Sequence, residues 1–313
     1  MPIGKGSIRL SKGSRCRKYE PTTRAEPRRM IFEVPTSDFS LHATLTSGQT
    51  FRWRPDGDGA FCGVIGTALV RVKPRGEQLF CETSSSTLTA ADLRRYFALD
   101  LPLGPILSSI DVDMQIHQAI VRHRGLRILR QEGWETLASF ICASFNNIKR
   151  IEGMIERLCR AYGEPVASSG SWPTAWGFPH PEAVAKASER SLRRLGLGYR
   201  APYVKATAQL VADGKLPLAQ LRRLDYDATK ATLLRCEGVG DKVADCVALF
   251  GFEKYEAFPI DVWMERAMRY YFRHRKMTRK LLHDYARRHF GPYAGYAQQY
   301  LYHYVRNLRA VSS

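Results

Sequence analysis

The sequence has no two cysteines at the short spacing that metal-binding motifs use. Its seven cysteines are odd in number and scattered over 313 residues. They are Cys16, Cys62, Cys81, Cys142, Cys159, Cys236 and Cys246. Structural zinc and iron–sulfur sites need several thiolates or imidazoles close together. The pattern therefore argues against both kinds of site and indicates a reducing compartment.

Long apolar runs and acidic residues are also scarce. No apolar run approaches the length that spans a bilayer, which argues against membrane insertion. The chain has 30 acidic residues against 48 lysines and arginines, a formal net charge of +18. A strongly basic chain attracts polyanions, so the composition predicts a nucleic acid as partner, with an anionic membrane surface as the alternative.

The first 29 residues are rich in lysine and arginine and almost free of large apolar side chains. Such a segment has little apolar surface to bury, so we expect residues 1–29 to be a disordered basic tail that adds non-specific affinity for phosphates. The tail lacks the apolar core of a secretory signal, although an arginine-rich start is compatible with an organelle transit peptide.

The fold class that the sequence predicts is α+β. From Met30 to about Thr83, stretches rich in β-branched and aromatic residues alternate with Gly, Pro and Asp turns, as is typical of an antiparallel sheet. The stretches are MIFEV, LHATL, TFRWR, AFCGVIG, ALVRVK and QLFCE. We therefore expect a β-sheet domain with flanking helices over residues 30–125, with residues 55–59 forming a hairpin turn.

After about Thr89, apolar residues recur at spacings of three and four, so an all-helical domain is expected over residues 126–313. The clearest helix is IKRIEGMIERLCRAY, whose apolar positions share one face and which should end at Gly163. Residues 163–181 are rich in Gly, Pro and Ser, and we interpret them as a loop insertion. Further helices are predicted in SLRRLGLG, PYVKATAQLVADG, YDATKATLLRC, KVADCVALFGF, VWMERAMRYYF and PYAGYAQQYLYHYV.

Between two of these helices, the glycines of Gly238-Val239-Gly240 flank one apolar residue. Glycines let the chain reverse tightly and leave backbone N–H groups uncovered, and the second helix directs its positive dipole end to the same place. The segment is a candidate phosphate-binding hairpin. Taken alone, the pattern is more typical of a plain sharp connection between helices.

Lys242 lies in the first turn of the second helix, two residues beyond Gly240. A positive side chain is electrostatically unfavourable at that end of a helix, so its presence favours a chemical role as an amine nucleophile. Nineteen residues further on, Asp261 precedes an amphipathic helix. An aspartate there is, on its own, best interpreted as an N-cap. Together, Lys242 and Asp261 are the candidate catalytic pair.

The hairpin, Lys242 and Asp261 at this spacing resemble the helix-hairpin-helix DNA glycosylases, and further segments resemble the 8-oxoguanine branch of that family. Those segments are residues 47–53, 140–142, 146–148, 195–200 and 291–295. The resemblance runs from about Ile31 to Val305. It implies an N-terminal antiparallel β-sheet domain followed by an all-α helix-hairpin-helix domain, and a base-excision repair enzyme that removes 8-oxoguanine from duplex DNA.

The resemblance also implies a mechanism. The damaged nucleotide is turned out of the duplex, Lys242 attacks the sugar at C1′, and the resulting Schiff base allows strand cleavage by β-elimination. Asp261 would stabilise the positive charge that develops on the sugar. No organic cofactor, catalytic metal or obligate protein partner is implied. We expect a monomer that acts inside the cell on DNA containing 8-oxoguanine, in a nucleoid or a nucleus.

By the family pattern, Gly48, Cys246, Gln298 and Tyr302 recognise the damaged base. The Gly48 carbonyl would accept a hydrogen bond from N7–H of 8-oxoguanine, a donor that guanine lacks. Cys246 and Tyr302 would lie against the two faces of the base, and Gln298 at its pairing edge. Without the resemblance, Cys246 would be interpreted as a small core residue and Tyr302 as one more aromatic in a tyrosine-rich helix.

A second group of residues matches family positions that fill the emptied base stack and hold the base opposite the lesion. They are Phe145, Asn146, Arg150, Tyr199 and Arg200. Three positions depart from the usual family residues: Phe145 replaces an asparagine that contacts the estranged cytosine, Trp263 replaces a phosphate-binding histidine, and Tyr302 replaces a phenylalanine. We therefore expect a relaxed opposite-base preference, with Phe145 as a wedge in the stack.

Two other functions stay open at this point. A related helix-hairpin-helix glycosylase for alkylated or other damaged bases would use the aspartate alone, and Lys242 argues against it. A non-catalytic DNA-binding module would use the hairpin only to grip phosphates. Residues 266–280 hold seven lysines or arginines and no acid, which fits a solvated face and a phosphate-tracking surface about equally well.

Overall fold

The structure, a computed structural model, describes residues 29–166, 172, 174–271 and 277–311. The predicted basic tail lies outside the described residues except for Arg29. Parts of the 163–181 insertion and of the basic segment 266–280 also lie outside them. In the part of the chain that is described, no helix is both long and apolar enough to cross a membrane.

An antiparallel sheet of five strands forms the N-terminal part of the chain, as the sequence predicts. Its strands are β1 (Met30–Pro35), β2 (Trp53–Pro55), β3 (Phe61–Ile65), β4 (Ala68–Arg75) and β5 (Gln78–Thr83), in the order β1-β5-β4-β3-β2. The predicted hairpin turn joins β2 to β3, where the Asp56 N–H donates to the Ala60 carbonyl at 2.9 Å. Gly57 and Gly59 have φ of +67° and +72°, which explains the glycines of this turn.

The stretch LHATL is a helix, α1 (Leu41–Thr46), so the strand predicted there is wrong. Leu41 and Leu45 are both buried, and their spacing of four fits one face of a helix as well as the alternation of a strand. The Ser40 side chain accepts the Ala43 N–H at 3.2 Å and caps the helix, which favours the helical conformation.

Fourteen helices follow the sheet in chain order among the described residues. They are α2 (Ala90–Tyr96), α3 (Leu103–Ile110), α4 (Met114–His123), α5 (Gly133–Cys142), α6 (Ile148–Tyr162), α7 (Pro181–Lys186), α8 (Glu189–Leu192), α9 (Ala201–Ala212), α10 (Leu218–Leu221), α11 (Tyr226–Leu233), α12 (Asp241–Phe252), α13 (Val262–Tyr271), α14 (Arg279–Phe290) and α15 (Ala294–Val311). Two short strands, β6 (Pro165–Val166) and β7 (Ala175–Trp176), pair within the predicted insertion. The α+β fold class is confirmed.

Besides a small cluster of Val64, Leu69 and Val166, two main hydrophobic cores hold the described elements. The smaller one lies against the sheet and includes Trp53, Val70 and Phe97. The larger one joins α3 and α4 to the helices that follow them, so helices on both sides of residue 126 share its apolar side chains. The division of the chain at residues 125 and 126 stays a prediction.

Helix α6 has the bounds that its apolar face predicts and ends before Gly163, although the reason for the glycine differs from the one expected. Gly163 has φ of −84°, outside the left-handed region. A Cβ atom there would lie 2.1 Å from the Gly177 carbonyl oxygen and 2.6 Å from that of Cys159. Close approach of two backbones therefore requires this glycine.

His303 of α15 is buried against His123 of α4, with ring centroids 4.3 Å apart. Burial, together with the charges of His123, Arg306 and His42, lowers the pKa of His303 to about 3. The unfolded chain takes up a proton on this imidazole below about pH 6.5, whereas the folded chain does not. The stability that the neutral imidazole contributes is therefore complete above that pH and is lost as the pH falls.

We predict that the free energy of unfolding decreases by up to about 1 kcal/mol for each unit of pH lost between about pH 6.5 and about pH 4. Urea unfolding of the wild type and of His303→Phe at several pH values measures this slope. The variant should show a shallower slope, while a His180→Gln control, at an exposed position before α7, should keep the wild-type slope. Equal slopes for the wild type and His303→Phe would refute the assignment.

Candidate active site

The Gly238-Val239-Gly240 turn connects α11 to α12 and is shaped by three different constraints. Gly238 has φ of +79°, and a Cβ atom there would lie 2.6 Å from the Tyr203 ring. Val239 is buried and anchors the turn in the larger core. Gly240 precedes the first residue of α12, and a Cβ atom there would meet no atom within 4 Å. The turn is rigid on its inner side and open on its outer side, as a phosphate-binding hairpin requires.

Lys242 lies in the first turn of α12, directly beyond the hairpin. Its Nζ atom lies 5.1 Å from the centroid of the Phe140 ring, which provides an apolar wall and a cation–π contact. Cys246 follows one helical turn later and is buried. Burial raises the pKa of the Cys246 thiol to about 11, against the lowering effect of the Lys242 charge. The thiol is therefore neutral at physiological pH, which leaves the Lys242 amine as the candidate nucleophile of this helix face.

A buried cluster of charged and polar side chains around Asp245 fixes the position of α12. The Asp245 carboxylate accepts a hydrogen bond from the Tyr226 hydroxyl at 2.5 Å and forms an ion pair with Lys230 at 3.0 Å, and Nε2 of His283 lies 3.3 Å from it. These partners come from α11 and α14. Because Asp245 lies next to Cys246 and three residues after Lys242, the cluster fixes the rotation of the helix that carries Lys242. Sequence reasoning did not identify it, since its members are separate in the chain.

Asp261 caps α13, as predicted: its Oδ1 atom accepts the Met264 N–H at 2.7 Å. It also lines the same cavity as Lys242. One carboxylate oxygen thus fixes the helix, and the side chain remains partly exposed at the site. The N-cap keeps the carboxylate in a defined place, which is the geometry that electrostatic stabilisation of a nearby cation requires.

Two connected spaces make up the site. An open cleft of about 750 Å³ leads to a small cavity of about 50 Å³. The residues that line both are Gly48, Phe140, Lys242, Asp261 and Tyr302. Cys246 and Gln298 line the cavity only, whereas Phe145, Asn146, Arg150, Gly238 and Gly240 line the cleft. Side chains that the sequence predicts from five separate segments therefore meet in one place.

Gly48 lies in a loop that side-chain amides hold rigidly. Its φ of +83° favours glycine, and a Cβ atom would approach Ile148 to 3.1 Å. The Gln49 amide donates to the Thr44 and Arg127 carbonyls at 3.0 and 2.8 Å, and Gln299 of α15 donates to the Ser47 carbonyl at 2.9 Å. Gln49 and Gln299 are residues that sequence reasoning missed. Their buried amides hold the backbone of the Gly48 loop in one conformation.

Besides Lys242 and Asp261, two polar side chains of α15, Gln298 and Tyr302, line the small cavity. Gln298 is only 5% exposed, and its Oε1 atom has no hydrogen-bond partner among the described residues. A buried amide oxygen without a hydrogen bond costs free energy. A ligand that donates a hydrogen bond to this oxygen would recover that free energy. Burial, reinforced by the nearby Asp261 carboxylate, raises the pKa of Tyr302 to about 12, which keeps the phenol protonated.

Phe145 projects from the rim of the cleft in a strained conformation. Its side chain is 96% exposed and its φ is +48°, in a region that residues other than glycine rarely adopt. Two side chains hold the turn: the Tyr199 hydroxyl donates to the Ser144 carbonyl at 3.2 Å, and Arg200 donates to the same carbonyl at 3.0 Å and to the Phe145 carbonyl at 3.4 Å. Strain of this kind is kept where the surrounding structure enforces it.

Arg200, Asn146 and Arg150 differ in how far their side chains are available. Arg200 is 8% exposed and lies over the Tyr199 ring at 4.3 Å, so its guanidinium supports the Phe145 turn from inside. The Asn146 amide contacts its own loop, including the Asn147 N–H at 3.0 Å. Arg150, in the first turn of α6, is exposed on the cleft. The base contacts expected of these residues stay predictions.

Two family models match the chain in succession. The N-terminal domain of 8-oxoguanine DNA glycosylase matches residues 31–137. The HhH-GPD superfamily of base excision DNA repair proteins matches residues 138–290. Together these matches cover the sheet, the hairpin, Lys242 and Asp261.

Individual proteins are similar over most of their length. The N-glycosylase/DNA lyase OGG1 of Arabidopsis thaliana is 31% identical over 295 residues, which is 88% of this chain and 80% of the plant protein. A probable N-glycosylase/DNA lyase of Methanothermobacter thermautotrophicus is 29% identical, covering 87% of this chain and 95% of the archaeal one. The crystal structure of the Clostridium acetobutylicum 8-oxoguanine glycosylase/lyase, in complex with double-stranded DNA containing cytosine opposite 8-oxoguanine, superposes with a TM-score of 0.83 at 29% identity, covering 90% of this chain and 98% of that one.

Proposed function

The chain belongs to the N-glycosylase/DNA lyases of the HhH-GPD base excision repair superfamily, and from this membership we propose its substrate and the residues that act on it. The enzyme removes 8-oxoguanine from duplex DNA and then cleaves the strand at the abasic sugar. One observation supports the roles proposed for these residues: Lys242 and Asp261 line the same cavity as Gly48, Gln298 and Tyr302. No cofactor takes part in the proposed reaction.

DNA binding begins with phosphates. The net charge of +18 attracts the duplex, and the open outer side of Gly240 lets a phosphate oxygen approach the N-terminus of α12. The sugar of the damaged nucleotide is inaccessible within the stack, so the nucleotide turns out of the helix into the cleft. The small cavity has room for a few water molecules only, and the base must displace side chains to enter it.

Catalysis then follows from the positions of two side chains. The free amine of Lys242 attacks C1′ of the flipped nucleotide, a C–N bond forms, and the bond from C1′ to the base nitrogen breaks. The base leaves with the electron pair of that bond and takes up one proton, while the attacking nitrogen loses one. The Asp261 carboxylate offsets the positive charge that develops on the sugar. Opening of the sugar ring gives a Schiff base, and loss of a C2′ proton then expels the 3′ phosphate by β-elimination.

The contact that separates 8-oxoguanine from guanine lies at N7 of the base. The Gly48 carbonyl, fixed by the amides of Gln49 and Gln299, accepts a hydrogen bond from N7–H of 8-oxoguanine. Guanine has an acceptor at that atom, so two lone pairs would face each other. The Gln298 amide oxygen accepts from the pairing edge of the base, and Cys246 and Tyr302 enclose its faces. The orphaned Oε1 atom of Gln298 supports this arrangement.

Phe145 takes the space that the flipped nucleotide leaves. Its exposed ring can stack on neighbouring bases, and stacking does not depend on which base lies opposite the lesion. Arg200 and Tyr199 act through Phe145, by holding the strained turn, and Arg150 remains to contact the opposite base. This division of tasks gives a weak preference for the base opposite 8-oxoguanine.

We predict that Phe145→Asn raises the preference for cytosine opposite 8-oxoguanine, because asparagine tolerates a positive φ and carries hydrogen-bonding groups in place of a ring. Single-turnover rates on duplexes with each of the four opposite bases measure this preference. Phe145→Ala should instead lower all four rates, by about tenfold, because it removes the stacking surface. Unchanged rates in Phe145→Ala would rule out the wedge.

The proposed substrate is tested with purified wild-type protein on three duplexes of one sequence, containing 8-oxoguanine, guanine or 3-methyladenine at the same position. We expect base release and strand cleavage with 8-oxoguanine only. Release of 3-methyladenine without strand cleavage would favour the glycosylase for alkylated bases. Binding of all three duplexes without any release would favour a non-catalytic DNA-binding module.

Two coarser features complete the proposal. The protein acts on DNA, and we propose that it does so as a monomer. Its place of action is wherever the genome lies, in a nucleoid or a nucleus. Sedimentation of the protein with and without a short duplex tests the proposed one-to-one complex.

A further inference from the structure

One wall of the cleft carries an arginine side chain that has no role in the proposed reaction. Arg279, the first residue of α14, lines the cleft together with the hairpin glycines and Lys242. Its side chain is 52% exposed. Among the basic side chains described along the cleft, Lys242 attacks the sugar and Arg150 is assigned to the opposite base. Arg279 is left without a role.

Glu265 of α13 holds this guanidinium in a fixed orientation. Its Oε2 atom accepts from Nε and Nη2 of Arg279 at 3.1 and 2.6 Å, while its Oε1 atom accepts from Arg269 at 2.8 Å. The hydrogen bonds from the two arginines lower the pKa of Glu265, so the carboxylate is ionised at neutral pH. A side chain from one helix thus orients an arginine from the next across the wall of the cleft.

The hydrogen bonds to Glu265 determine which N–H groups of the Arg279 guanidinium remain to bind a ligand. Arginine has five N–H donors in a planar fork, and the contacts with Glu265 use those along the Nε–Nη2 edge. The other edge, between Nη1 and Nη2, keeps the spacing that binds two oxygens of one phosphate. Arg279 also lies at the N-terminal end of α14, whose dipole adds to the attraction for an anion.

We propose that Arg279, oriented by Glu265, binds a backbone phosphate of the DNA in the cleft. The contact is independent of base sequence and adds a second phosphate site to that of the hairpin. Glu265 is a positioning residue: it touches the arginine and not the DNA. The proposal rests on the proposed function, since it takes duplex DNA as the occupant of the cleft.

The acidic partner makes the proposal sharply testable. Removing a negative charge from a DNA-binding cleft should strengthen binding if the charge only repels phosphates. If Glu265 positions Arg279, Glu265→Gln should instead weaken binding, by about threefold, although the protein becomes more positive. A purely repulsive Glu265 and a positioning Glu265 therefore predict changes in DNA affinity of opposite sign for the same substitution.

The experiment measures the dissociation constant for an undamaged and an 8-oxoguanine duplex over a series of salt concentrations, with Lys242→Gln as the background to prevent turnover. Arg279→Met should weaken binding by about tenfold at low salt and reduce the slope of log Kd against log salt by about 0.9, the value for one phosphate contact. Arg279→Lys should keep the slope and lose part of the affinity, because lysine retains the charge without the fork.

Arg124→Met is the matched control. Arg124 is 62% exposed and forms a two-point pair with Asp38, at 3.0 and 3.2 Å, away from the residues that line the cleft. An equal effect of Arg279→Met and Arg124→Met, or tighter binding by Glu265→Gln, would overturn the proposal. Failure of the proposed function would appear separately, as a wild type that binds undamaged DNA through Arg279 but does not cleave the 8-oxoguanine duplex.

Discussion

Lys242→Gln should lower single-turnover release of 8-oxoguanine by at least about 10³-fold and abolish the covalent adduct that borohydride traps. Glutamine keeps the length and polarity of the side chain but has no nucleophilic nitrogen. DNA binding should change little, because the hairpin backbone and not this side chain holds the phosphate. Gel separation of the trapped protein–DNA adduct, together with the rate of base release, measures both effects.

The same substitution has a second expected effect, on stability. Lys242 is a positive side chain at the positive end of α12, so replacing it by a neutral residue should leave the free energy of unfolding unchanged or raise it by about 0.5 kcal/mol. Loss of activity would then not result from misfolding. Lys215→Gln, at an exposed lysine outside the cleft, is the matched control and should keep full activity. Normal trapping by Lys242→Gln would disprove its role as nucleophile.

Asp261→Asn should lower the rate of base release by about 10² to 10³-fold, the usual cost of removing one preorganised charge from a transition state. Asparagine caps a helix about as well as aspartate, so the free energy of unfolding should fall by less than about 1 kcal/mol. The bond from the side-chain oxygen to the Met264 N–H can be kept in the variant. Rates and thermal unfolding of the one variant therefore separate the catalytic charge from the cap.

Asp225→Asn provides the comparison for this prediction. Asp225 caps α11, accepting the Ala228 N–H at 2.7 Å, and does not line the cleft. It should show the same small loss of stability and no loss of rate. If Asp261→Asn retained the wild-type rate, the carboxylate would serve only as a helix cap, which is the usual role of a lone aspartate before a helix.

Much of the secondary structure was predictable because local sequence patterns specify it. The apolar face of α6 gives its bounds, and the glycines of the hairpin mark the connection between α11 and α12. Asp261 was predicted as an N-cap from its place before an amphipathic helix, and the structure confirms it. In each case the deciding interactions lie within a few residues of one another, where sequence spacing reflects geometry directly.

Other features depend on contacts between distant segments and leave no local signal. The cluster around Asp245 joins α11, α12 and α14, and the Gly48 loop is held by Gln299 of α15. The buried state of Arg200 depends on the strained turn at Phe145, which spacing does not reveal. LHATL was assigned to the wrong class because its apolar spacing fits both periods, and the helix is capped by Ser40, which precedes the stretch.

The most direct test of the central claim is to identify the residue that carries the DNA. Wild-type protein is reacted with an 8-oxoguanine duplex, the Schiff base is reduced with borohydride, and the digested protein is analysed by mass spectrometry. We expect a reduced sugar adduct on the peptide that contains Lys242. An adduct on a different amine, or base release and strand cleavage without any adduct, would contradict it.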